Sequence, residues 1–129
     1  MKAWIAERVG APLQTTDVAI PEPRPDQVVI EVKAAGICHS DVGIIYGMLE
    51  IPLPLILGHE AAGVITALGS DVTGFEIGDA VVSAVSGADA PGLTRDGAFA
   101  EYTTLTASAL VRIPEGVSFA EAVAATDAG

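Results

Sequence analysis

Cysteine is almost absent from this sequence: Cys38 is the only one in 129 residues. A single thiol excludes an internal disulfide and a four-cysteine structural zinc site, and it points to a reducing compartment. Aromatic residues are scarce as well, at 5%. A core therefore has to be assembled from the Ala, Val, Ile and Leu that dominate the apolar half of the chain. Basic residues number six against 17 acidic ones, a formal charge of -11. Phosphate-binding surfaces need lysine and arginine to displace counterions, so this balance argues against nucleic acid and against an anionic membrane surface. Long hydrophobic runs are missing too. The longest uncharged apolar stretches, IPLPLILG and AAGVITALG, fall far short of the roughly 20 residues that span a bilayer. Glu7 and Arg8 stand where a signal peptide would need its apolar stretch. A cytoplasmic, soluble protein is the expectation.

What is present fits one domain over residues 1–129, long enough to bury roughly 65% of its unfolded surface. The mean hydropathy of +0.50 is high for a small free-standing domain. Either much of the chain is buried or an apolar face awaits a partner.

Short β-rich runs are separated by turn residues. MKAWIAERV reads as a first strand. PEPRPDQ is a loop, because its three prolines lack the N–H donors of a ladder. VVIEVKAAG alternates with period two and predicts a partly buried strand. HSDVGIIYG begins a short helix with Ser40 or Asp41 as its cap, and IPLPLILG is extended because each proline drives its predecessor from the helical region. EAAGVITALG, GDAVVSAV, GAFAEYTTL and ALVRIP supply further strands. Ser118 then caps FAEAVAAT with Glu121 three residues on, a capping-box pattern. About seven short strands with glycine at nearly every corner give a mainly β class, a barrel or compact sandwich with minor helix.

The chemistry concentrates in GICHSDVG at 36–43, where Cys38 is followed at once by His39, Ser40 and Asp41. Cys38 and His59 are ligand types for a borderline-soft metal such as Zn²⁺. A catalytic zinc needs a third protein ligand and one open position. Glu60 adjoins His59, and Asp127 stands at the foot of the last helix. Taken singly these residues are weak signals. A lone cysteine in a β core is commonly a small apolar residue, and a lone histidine after glycine is commonly a satisfied core residue.

The glycine pattern around them carries more. GHEAAGVITALGSDV, with Gly78–Asp79 following, resembles the signature around the zinc-binding histidine of the medium-chain, zinc-dependent alcohol dehydrogenases. GICHSD resembles their first-ligand segment, FEIGDAVV and GAFAEY two further stretches of their GroES-like catalytic domain, and AATDAG the third-ligand segment in the branch that uses aspartate. The five segments fall in order over almost the whole chain. The resemblance implies a GroES-like, partly open β-barrel with a few short helices. It implies one catalytic zinc held by Cys38, His59 and Asp127, three chemically competent ligands that leave one position open. Glu60 would lie behind the metal and exchange with bound water. Asp41 would fix the His59 tautomer, Ser40 would relay the proton of a bound alcohol, and His39 would lie near the cofactor phosphates or ribose. Trp4 and Tyr46 are pocket candidates that packing explains equally well.

The sequence departs from that family in three places. SAVSGADAPGLTRD replaces the four-cysteine lobe, so no structural zinc is expected. Gly43 stands where a relay histidine is frequent. After TDAG no dinucleotide-binding domain follows, and no G-x-G-x-x-G occurs. The chain is therefore expected to be an isolated catalytic domain that lacks dehydrogenase activity alone. NAD or NADP, a small alcohol or carbonyl substrate and oligomer contacts would belong to the whole enzyme. Two rivals remain: a zinc-free quinone or enoyl reductase relative, and a non-catalytic β-barrel binding module.

Overall fold

The computed structural model describes residues 1–83 and 90–126. Eight strands and two short helices follow one another: β1 (Lys2–Ala6), β2 (Gln14–Asp17), β3 (Gln27–Ala35), α1 (His39–Ile45), β4 (Leu55–Ile56), β5 (Ala61–Leu68), β6 (Ala80–Ser83), β7 (Tyr102–Thr106), β8 (Leu110–Arg112) and α2 (Phe119–Ala124). The mainly β expectation holds. Among the described residues the strands form two sheets, β2-β1-β4 and β7-β3-β5-β6-β8, with antiparallel pairing throughout and no closed barrel.

Most segments that read as strands are strands, but β2 was not anticipated. Its sequence, QTTD, carries no apolar residue to mark a buried face. Only pairing with β1, from Lys2 opposite Asp17 to Ile5 opposite Gln14, makes it a strand. The GAFAEY stretch also differs from its expectation, since the regular strand begins at Tyr102. The residues before it still pair. Gly97 donates to the Ile56 carbonyl, Phe99 to Leu57 and Ala98 to Gly58. This strap lies beside the turn that leads into His59.

The longest strand, β3, is central, with β5 on one side and β7 on the other. Its period-two pattern predicted half burial, yet Val28, Val29 and Ile30 are all buried. A strand covered on both faces tolerates a continuous apolar run. Val28 and Ile30 join Ala61, Ile65, Val81, Ala98, Leu105 and Leu110 in the main core. Full burial of an Ile or Leu in such a place stabilises by about 1.5–3 kcal/mol relative to exposure. A second cluster of Ala6, Ile44, Leu55 and Leu57 packs α1 against the first sheet.

Glycine permits the two closest backbone approaches near the site. A Cβ on Gly63 would lie 2.0 Å from the Glu31 carbonyl, where β3 and β5 shift register. Gly58 has φ +100°, and Gly92 and Gly97 pack onto its backbone at distances no side chain would allow. Helix α2 packs on β3, β5 and β6, which brings the end of the described chain back over the strands that flank the candidate site.

Candidate metal centre

Helix α1 starts where β3 ends. Its cap is Cys38, in extended conformation, and not Ser40 or Asp41 as the sequence suggested. The physical reason is that Asp41 acts one turn later. Its Oδ2 accepts the Cys38 backbone N–H at 2.9 Å, the carboxylate half of a capping box. The first turn of the helix is thus tied to the residue that carries the thiol.

His59 enters from the strap side. Gly58, in its left-handed conformation, turns the chain so that His59 and Glu60 point inward just before β5. Both are buried, as is Asp41. The His59 ring has polar neighbours at both ends. Nδ1 lies 3.4 Å from Asp41 Oδ1, while Nε2 lies 3.5 Å from Ser40 Oγ and 3.7 Å from Glu60 Oε2. The ring therefore presents Nε2 to the remaining groups and keeps Nδ1 for the aspartate.

Cys38, His59 and Glu60 each bring a ligand-type atom into one cluster, within 4.8 Å of one another. Ligand atoms bound tetrahedrally to zinc at about 2.0–2.3 Å stand roughly 3.5 Å apart, so side-chain shifts of about an ångström would close this set. Thiol, imidazole and carboxylate all suit that ion. Burying two carboxylates and an imidazole together is costly unless a cation or protons compensate them. The donor set and its burial therefore fit a zinc ion.

The other sequence candidates divide. Ser40 stands at the edge of the cluster, beside His59 Nε2. His39 opens the helix with an exposed side chain and is not one of the clustered residues. Asp127 lies outside the described residues. Its neighbour Thr126 is described and reaches the cluster: Thr126 Oγ1 lies 3.4 Å from Glu60 Oε1. Sequence reasoning overlooked Thr126, and it quoted Gly36 without a role. A Cβ on Gly36 would fall 2.6 Å from Glu60 Oε1, so the glycine makes room for that carboxylate. A glycine two residues before the cysteine was the only available signal.

The pocket candidates lie elsewhere. Trp4 is half-exposed and lines a groove of about 620 Å³ with Leu13, Val32, Ile37 and Phe99, which includes none of the three clustered residues. Tyr46 is exposed at the far end of α1.

Residues 24–115 match the family model of the alcohol dehydrogenase GroES-like domain. The chain is 36% identical over 136 residues to alcohol dehydrogenase 1 of Emericella nidulans, which covers 89% of this chain and 39% of that protein. Among solved structures it resembles galactitol-1-phosphate dehydrogenase from Escherichia coli, with a TM-score of 0.87 and 26% identity over 96% of this chain and 41% of that one. It also resembles the quinone oxidoreductase from Coxiella burnetii, with a TM-score of 0.89 and 29% identity over 100% of this chain and 42% of that one. The chain spans about two-fifths of the length of these relatives.

Proposed function

The chain belongs to the alcohol dehydrogenase GroES-like domain family, and from that premise we propose that it is the metal-holding catalytic part of a zinc-dependent alcohol dehydrogenase. The observation that carries the proposal is the buried cluster of Cys38, His59 and Glu60, with Asp41 against the far nitrogen of the imidazole. A metal-free reductase has no need of that set.

In this reading Cys38 and His59 would hold zinc, Asp127 would complete the ligands, and Glu60, beside them, would reach the ion in exchange for bound water. Zinc in such a site supplies Lewis-acid polarisation of an alcohol or carbonyl oxygen. The protein does the rest. Asp41 would accept a hydrogen bond from Nδ1–H of His59 and so keep Nε2 free to ligate. Ser40 Oγ, at the edge of the cluster, receives the proton of the alcohol and passes it outward. His39, exposed at the start of α1, faces the nucleotide. The chain carries no dinucleotide fingerprint, so NAD or NADP would be bound by a separate Rossmann domain, and the present residues alone would not turn over alcohol. No described helix is long and apolar enough to cross a membrane, in keeping with a proposed cytoplasmic enzyme that oligomerises as a whole protein.

The likeness to a quinone oxidoreductase favours a second reading, a zinc-free reductase on the same fold. Zinc per chain separates the two. Elemental analysis of the purified protein, with and without added zinc, should give one equivalent that disappears in Cys38→Ser and in His59→Ala. No zinc under either condition would sink the dehydrogenase reading in favour of the reductase.

A further inference from the structure

Glu60 is fully buried, and two residues outside the proposed ligand set shape the space around its carboxylate. On one side is Gly36. A methyl group there would stand 2.6 Å from Oε1, 2.9 Å from Cδ and 3.1 Å from Cβ of Glu60. A second neighbour is Thr126, whose hydroxyl lies 3.4 Å from Oε1 and 2.6 Å from the Val123 carbonyl. Both constraints act on Oε1. The other oxygen, Oε2, is the one directed at His59 Nε2.

We propose that Thr126 is a positioning residue for the metal: from the end of α2 it holds Oε1 of Glu60 so that Oε2 is presented to the cation shared with Cys38 and His59. The inference rests on the zinc reading above and adds a residue to it. A hydroxyl has one hydrogen, so its bonds to Val123 and to Glu60 are alternatives. The contact to Val123 is the shorter here, so turning the hydroxyl to Glu60 would exchange one acceptor for the other and leave the hydroxyl satisfied either way. Helix α2 packs on β3, β5 and β6, so the helix becomes the rigid support from which the carboxylate is aimed. Partners of metal-ligating groups are typically worth 10–100-fold in metal affinity.

The test is Co²⁺ and Zn²⁺ affinity of this chain, by competition with a chromophoric chelator, together with the visible d–d spectrum of the cobalt form. Thr126→Val should weaken binding about 10-fold and alter the cobalt spectrum, and Thr126→Ser should restore both. In a Glu60→Gln background Thr126→Val should change neither, because its effect passes through that carboxylate. Unchanged affinity in Thr126→Val, or an equal loss with and without Glu60, overturns the proposal while leaving the zinc reading intact. Should Thr126→Val fail to fold, Gly36→Ala crowds the same carboxylate oxygen. It should weaken binding only when Glu60 is present, and a loss independent of Glu60 overturns the proposal equally. A wild-type chain that binds neither metal overturns both the proposal and the reading on which it rests.

Discussion

Asp41 serves Cys38 and His59 with separate oxygens: Oδ2 accepts the Cys38 amide at 2.9 Å, and Oδ1 lies 3.4 Å from Nδ1 of His59. One carboxylate therefore caps the backbone under the thiol and lies against the far nitrogen of the imidazole, where in the proposed reading it would fix the tautomer. This arrangement explains why the four reactive residues of CHSD are consecutive. The thiol, the helix that follows it and the carboxylate that meets the distant histidine share one helical turn.

Asp41→Asn tests that double role. The amide oxygen can replace Oδ2 at the Cys38 N–H, but the amide NH₂ then faces Nδ1 of His59. Nδ1 becomes an acceptor, and the ring proton moves to Nε2, the nitrogen that faces the cluster. Zinc affinity should fall about 10–100-fold, while the urea midpoint of the metal-free protein changes little. Chelator competition and urea denaturation on the same preparations check the pair of outcomes. Equal zinc affinity in both proteins would reduce Asp41 to a helix cap.

The turn before His59 gives a second prediction. Gly58 has φ +100°, and a Cβ there would meet Phe99 Cδ1 at 2.7 Å and the amides of Phe99 and Ala98 at 2.9 and 3.0 Å. Gly74 has φ +82° and open space around it. Gly74→Ala should cost about 1 kcal/mol, the penalty of the conformation alone. Gly58→Ala should cost about 3 kcal/mol or more, because backbone atoms of the strap have to move as well. Urea denaturation of the two variants checks the difference. Similar losses at both positions would show that the strap yields easily and does not fix the approach of His59.

Much of this was legible in the sequence because the signals are local. The capping box of α2 needs only Ser118 and Glu121 at the right spacing, and it is present. The strands β5 and β6 announce themselves by aliphatic runs between glycines, and β3 by its run between a proline-rich loop and Gly36. What was not legible depends on pairing partners. QTTD has no pattern of its own and becomes β2 only opposite β1. The cap of α1 was misassigned because cysteine is a poor capping residue by preference, while Asp41 works from the third helical position. The fold brings Cys38, His59, Ser40 and Asp41 close together. Thr126 was missed because its link to Glu60 spans 66 positions, and no local rule connects a residue at the end of a helix to one at the start of a strand. The expectation for Asp127 lies outside the described residues.

Acid stability offers the last prediction, and it turns on Glu121. The Ser118 backbone N–H donates to the Glu121 carboxylate at 3.1 Å, and Glu121 N–H donates to the Ser118 hydroxyl at 3.0 Å. The backbone bond first, and the Ser118 side chain second, hold the Glu121 carboxyl below its ordinary value of 4.5, against a weaker opposing effect of desolvation. A carboxyl whose pKa is lower in the folded chain than in the unfolded one binds fewer protons when folded. Its contribution to stability is present above the unfolded value near 4.5 and is lost as pH falls through the lowered folded value. Glu121→Gln should therefore unfold more easily than the wild type at pH 7, and the gap between the two should narrow as the pH drops below 4.5. Because Glu121 is exposed, salt should weaken the effect only modestly, since hydrogen bonds and not distant charges cause it. Urea midpoints of both proteins across the acid range measure the gap directly. A gap that stays constant with pH would show that the charge of Glu121 plays no part in holding the helix that leads to Thr126.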